Sequence, residues 1–230
     1  MRFYSTIFLL LICFNQSFAQ NINPTEVDSL YREDQFYAGV SYNVLINKPS
    51  DVSQNGFSLG FNLGFIRDVP INKARNKAFG IGIGYSTNSY NQDLLISKDS
   101  NGSFTYNKIE DNNSFTKNKF STHLIELPIE YRWRTSTFTE YEFWRIYVGF
   151  KLSYMLAHSI KYNGELGKLR YTDNTDFNKF RYGLTLSTGY NTWNINVYYA
   201  LNPIFSNNAQ FEGSNIDMSV IKLGLIFYIL

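Results

Sequence analysis

Between residues 121 and 156 the side chains obey a period of two, twice over. In the first run His123, Ile125, Leu127, Ile129, Tyr131 and Trp133 share one face, while Leu124, Glu126, Pro128, Glu130, Arg132 and Arg134 share the other. Nine residues later, past 135–143, a second run sets Trp144, Ile146, Val148, Phe150, Leu152, Tyr154 and Leu156 against Arg145, Tyr147, Gly149, Lys151, Ser153 and Met155. Side chains that alternate in this way belong to strands. Each run exceeds the ~9–11 residues with which a tilted strand crosses a bilayer. A continuous apolar face opposite a charged one describes a strand with lipid outside and a polar lumen inside.

The remaining chain can be sorted against that hairpin. Aromatic residues make up 18% of the 230 residues, with 18 Tyr and 20 Phe, a composition suited to strands and interfacial girdles. Mean hydropathy is slightly negative. Alternation dilutes the apolar signal, so this value does not argue against a barrel.

Residues 1–19 have the pattern of a signal peptide: Arg2, an apolar run over 7–14, then Ser17-Phe18-Ala19 before a cut ahead of Gln20. That run is too short for a membrane helix. The single cysteine, Cys13, lies inside it, so the mature chain carries no thiol chemistry. Without Arg2 the balance is 20 basic against 19 acidic residues, and no basic run points to nucleic acid. An exported chain with amphipathic strands and no long apolar helix points to an outer membrane. Residues 20–34 are expected to form a polar periplasmic lead, with Asn23-Pro24 as a helix start or the whole as a loose tail.

Eight strands are expected within 35–230: 36–46, 56–66, 78–96, 121–134, 144–156, 177–190, 193–202 and 216–230. Connections of 47–55, 97–118, 161–176 and 203–215 are long and polar. Those near 72–77, 135–143 and 191–192 are shorter. This is the outer-membrane pattern of short periplasmic turns and longer external loops. The fold class expected is all-β: an eight-stranded antiparallel up-and-down transmembrane barrel with a filled polar lumen, its last strand closing on its first. A soluble calyx, the rival fold, would carry its large apolar residues inside. Trp133, Trp144 and Trp193 all fall beside periplasmic turns, as an aromatic girdle requires. Gly60, Gly64, Gly80, Gly82, Gly84, Gly149, Gly183 and Gly224 relieve crowding in a lumen only wide enough for side chains.

That lumen is expected to hold Glu126, Glu130, Arg132, Arg145, Lys151, Arg181 and Lys222. A proton path or ligand site is one reading; mutual pairing in a narrow polar core is the favoured one. No catalytic, metal or cofactor site is assigned. Ser121, His123 and Glu126 are close in sequence, but Glu126 has the opposite parity, so a triad would need a bulge. Gly80-x-Gly82-x-Gly84 lies within a strand and lacks the spacing of a phosphate loop.

Leu124-Ile-Glu-Leu-Pro-Ile-Glu-Tyr-Arg-Trp133, followed by Arg145-Ile-Tyr-Val-Gly-Phe-Lys-Leu-Ser-Tyr154, resembles the PorT-like outer-membrane β-barrel family of Bacteroidota, in which a Leu-Glu-hydrophobic-Pro strand precedes a Tyr-Val-Gly strand. The resemblance covers about 35–230. It implies a porin-like barrel without catalytic residues, and an accessory role in protein secretion by the type IX system or in envelope assembly. The partners implied are outer-membrane lipid and secretion or envelope proteins, around a monomeric barrel. The alternatives are a structural or adhesive barrel binding an external ligand through its loops, and a lipid-modifying enzyme.

Overall fold

The computed structural model describes residues 34–110, 113–135 and 144–229. The expected leader 1–19, nearly all of the lead 20–34 and most of the turn 135–143 lie outside the described residues. In chain order the strands are β1 (Gln35–Ile46), β2 (Leu59–Pro70), β3 (Lys77–Asn91), β4 (Leu94–Lys98), β5 (Phe104–Lys108), β6 (Phe115–Arg134), β7 (Trp144–Gly164), β8 (Gly167–Tyr171), β9 (Phe180–Tyr190), β10 (Trp193–Ala200), β11 (Gln210–Phe211), β12 (Ser214–Asn215) and β13 (Ser219–Ile229). Eight of them close a ring in the order β6, β3, β2, β1, β13, β10, β9, β7 and back to β6, every pair antiparallel. The barrel expected from the alternation is therefore the fold observed.

The register fixes its girth. Stepping through paired residues from Val44 leads to Ile221, Tyr199, Leu184, Phe150, Ile129, Ile81 and Arg67. Arg67 adjoins Ile66, the partner of Gln35, so the circuit returns to β1 at Asp34, ten residues below its start. With eight strands ~4.8 Å apart and ~3.4 Å per residue, a stagger of ten tilts the strands by roughly 40°. Such a barrel has room inside for side chains and little else.

Its outer wall is apolar all the way round. Phe61, Leu63, Phe79, Ile81, Ile83, Val148, Leu184 and Ile195 are each more than half exposed. A belt of this extent is foreign to a soluble surface and natural against lipid.

The strands depart from their expected bounds mainly at the ends. β2 runs on to Pro70, so the alternation continues through Asp68, which faces inward. β6 and β7 extend to 20 and 21 residues, well past the apolar band. The expected third strand, 78–96, stops at Asn91. Leu94–Lys98 turns back on Phe104–Lys108 as a separate hairpin. The cause is local: Asp99 Oδ1 accepts the N–H groups of Asn101 and Ser103, and Gly102 takes φ +83°, which together close a tight turn. The connections 161–176 and 203–215 likewise hold β8 and the β11–β12 pair. The segments read as polar loops thus fold into a cap at one end of the barrel. The short turns lie at the other end.

One irregularity re-aims β7. His123 pairs with Ala157 and Leu124 with Met155, leaving Leu156 as an extra residue. Leu156 and Ala157 both face out, so inward parity passes from Met155 to Ile160 and Tyr162.

Candidate functional site

The lumen is packed in storeys. At the turn end, Arg134 clasps Asp68 with both prongs of its guanidinium, Nη1 to Oδ1 and Nη2 to Oδ2, each at 2.8 Å. Arg132 donates to the same carboxylate at 3.1 Å, to Glu130 at 3.2 Å and to Gln35 at 2.8 Å. All five side chains are buried. Bidentate, fully desolvated geometry is the kind in which pairing offsets the cost of burying charge. Asp34 joins from the chain entry, its Oδ1 accepting the Asp68 N–H at 2.7 Å.

Above this floor lie three tyrosines. The Arg132 guanidinium sits 4.3 Å from the Tyr147 ring, and Arg145 lies 5.6 Å from Tyr228. Tyr37 lies tilted beside Tyr228 and fills space left by Gly64 and Gly84: a Cβ at either glycine would collide with its phenol. The small inward residues of β2 and β3 are therefore the other half of the tyrosine's packing.

The middle storey centres on Glu126. It accepts from Lys151 at 2.9 Å and from Ser86 at 2.7 Å, with Lys222 4.0 Å away. A cavity of about 20 Å³ remains among Ser86, Asn88, Lys151, Tyr198 and Lys222. That is room for about one water molecule, not a substrate. Arg181 lies higher, paired across the sheet with Ser153 and close to Tyr90. The structure thus places all seven lumen candidates inside, Lys222 least deeply. Asp68 and Arg134 belong to the same set and were not among them. Arg134 shares the parity of Arg132, and Asp68 appears once the alternation of β2 is followed two residues further.

The loop end is closed by rings. Phe120 stacks on Tyr90 at 4.8 Å and meets Phe177 and Phe205 edge-on at 5.6 Å. Ile96, Ile160, Ile204, Ile216 and Met218 complete this cluster, which is buried beneath the cap. Two contacts pin the cap to it. The Tyr106 hydroxyl donates to Asp176 at 2.8 Å and accepts from Asn174 at 3.0 Å. Burial pushes the Tyr106 phenol well above its usual range. At the surface, Lys98 reaches Asp173 at 2.6 Å, and the hydrogen bond from Lys98 lowers that carboxyl's pKa.

The family model described as outer membrane protein beta-barrel domain matches residues 18–206. The chain belongs to that family. No curated protein matches the sequence. One solved chain, under the description "Asymmetric conductivity of engineered proteins", is 8% identical and covers 86% of this chain and 100% of its own length, at a TM-score of 0.22. A likeness that weak carries no argument.

For an outer membrane protein beta-barrel domain, the apolar wall is the lipid face. Trp133, Trp144 and Trp193 are exposed on it at the turn end, where Trp144 packs on Tyr190 at 5.5 Å and Trp193 on Phe227 at 4.7 Å. Ser121, His123 and Glu126 do not converge. The extra residue at Leu156 lies on β7, so β6 keeps its alternation and Glu126 stays inside. His123 Nδ1 instead meets the Tyr85 hydroxyl at 2.6 Å on the outer wall.

Proposed function

We propose that this protein is exported by its N-terminal leader and acts in the outer membrane without catalysis, as an accessory factor for protein secretion of the type IX kind or for envelope assembly. That finer role is what the PorT-like resemblance implies. The observation that carries the reading is the lumen, closed at one end by the Asp68–Arg132–Arg134 cluster and at the other by the Phe120–Phe177–Phe205 stack. A barrel filled this way has its work at its two ends, the periplasmic entry and the folded cap. The test is to delete the gene and compare secreted and surface proteins with the parent strain. Accumulation of proteins bearing type IX sorting domains in the periplasm supports the secretion role; an unchanged secretome overturns that role.

A second reading draws on the cap. It carries two open clefts, one of about 360 Å³ between Lys48 and Phe211, the other of about 400 Å³ among Lys98, Phe104 and Asp173. These favour an external ligand held by the loops. Replacement of residues 94–108 by a short turn, with secretion intact and surface binding lost, would select it.

A further inference from the structure

The extension of β6, β7 and β8 beyond the apolar wall carries an unusual run of charge. Lys119 pairs with Lys161, and Lys161 with Arg170, in one row across three neighbouring strands. The next row outward reads Lys117, Asn163, Lys168. Asn118, Phe120, Ile160, Tyr162 and Leu169 point to the cap's interior, so all five cations share the outer wall. Directly opposed residues on one face stand ~5 Å apart, and like charges there are destabilising. Among the described residues none of the five makes an ion pair. Two carboxylates at this end of the barrel accept from backbone instead: Asp93 Oδ1 from the Ser53 N–H at 2.7 Å and Glu165 Oε1 from the Ser114 N–H at 3.1 Å. Such a row suits a ligand that brings negative charge to it.

The height of the row says where that charge resides. On a strand tilted by roughly 40° each residue climbs ~2.6 Å along the barrel axis. From Trp133 to His123 the wall rises ~26 Å, the height of the apolar band of such barrels. Lys119 and Lys161 stand four residues higher than His123 and Ala157, ~10 Å above the band. A headgroup layer is ~5–8 Å deep, and a lysine stem reaches down several ångströms more. Between the cations and the band lies the Ser121–Ser159 pair, a source of hydroxyl donors. Beneath it opens an apolar groove of about 270 Å³ lined by Ile83, Ile125, Leu127, Leu152, Tyr154 and Phe180. The Tyr85–His123 hydrogen bond lies on the same wall, Tyr85 being paired with Ile125 of the groove.

We infer that the outer wall of β6–β8 binds a phosphorylated lipid of the outer leaflet, its phosphate against Lys119, Lys161 and Arg170 and an acyl chain in the groove below. The inference rests on the outer-membrane setting and not on a secretion role, so it stands or falls apart from the secretome result.

The test is native mass spectrometry of the full chain in detergent. The probes are bisphosphorylated lipid A, its dephosphorylated form and inorganic phosphate. The wild type should retain the bisphosphorylated lipid at least tenfold better than the dephosphorylated one, and inorganic phosphate should not displace it. Each cation near an anionic headgroup contributes about fivefold in affinity, so Lys119→Gln with Lys161→Gln and Arg170→Gln should weaken retention about a hundredfold. The matching Lys119→Arg, Lys161→Arg protein should retain it. Equal retention of both lipid forms would reduce the wall to a hydrophobic surface and overturn the proposal. Displacement by inorganic phosphate would make it an anion site unrelated to lipid, which also overturns it. The two-lipid comparison uses the unmodified protein, so it decides the matter even if the triple variant does not fold.

Discussion

Asp68 accepts from two guanidinium groups in a space closed to water. Asp68→Ala leaves both cations buried without the carboxylate they share, while Glu130 stays on Arg132. Losing one member of a buried ionic cluster costs about 3–5 kcal/mol. Urea unfolding in micelles should show a loss of that size, whereas Lys98→Ala at the surface should leave the unfolding midpoint almost unmoved. The Tyr37–Gly84 contact gives a sharper test of packing. Gly84→Ala drives a methyl group into the Tyr37 hydroxyl and should cost about 1–3 kcal/mol. In a Tyr37→Phe background that penalty should shrink, because the colliding oxygen is gone. Equal penalties in both backgrounds would mean that β3 simply shifts to make room.

Among the elements, the barrel strands were legible in the sequence and the cap was not, for a physical reason. A long strand repeats its in–out rule for ten or more residues, as β6 does from Asn118 to Arg134. β4 and β5 have five residues each, too few to separate a pattern from chance, and they sit among Asn, Ser and Lys. Leu94, Ile96 and Tyr106 were the available signal, and they end fully or nearly buried. The lumen set missed Arg134, at the very end of β6, and Asp68, which fell beyond the expected end of β2. The cap also has its own dependence on pH. Burial raises the Tyr106 phenol, so the folded cap keeps its proton while an unfolded chain loses it near the ordinary value of 10. The stabilising contribution is complete below that value and declines as pH rises past it. Amide exchange in β4–β5 should therefore quicken between about pH 9 and about pH 11. In Tyr106→Phe, exchange should be faster at neutral pH, and this added pH dependence should be missing. Identical profiles would show that the Tyr106–Asp176 bond does not hold the cap.

For the whole molecule, two plugs in series predict an electrically silent barrel. Planar bilayers containing the protein should show no ohmic conductance. Replacing residues 94–108 by a short turn should not open it, because the Arg132–Arg134–Asp68 storey lies at the far end. Steady channel openings in the unaltered protein would contradict the filled lumen. The same architecture explains why mean hydropathy conceals the membrane setting. Six lumen cations (Arg132, Arg134, Arg145, Lys151, Arg181, Lys222) and three carboxylates (Asp68, Glu126, Glu130) are averaged with an apolar wall they never touch.

The doubled outward step at Leu156 and Ala157 acts as a frame marker for everything beyond it. Each strand is read in units of two, so a lost residue is felt downstream in space as a lost base is in a coding sequence. Deleting Ala157 would leave the bilayer-spanning half of β7 in phase. It would turn Ile160 and Tyr162 to solvent and bring Lys161 inward beneath the cap. Substituting either residue leaves the frame intact. At this step in β7, length matters more than side-chain identity.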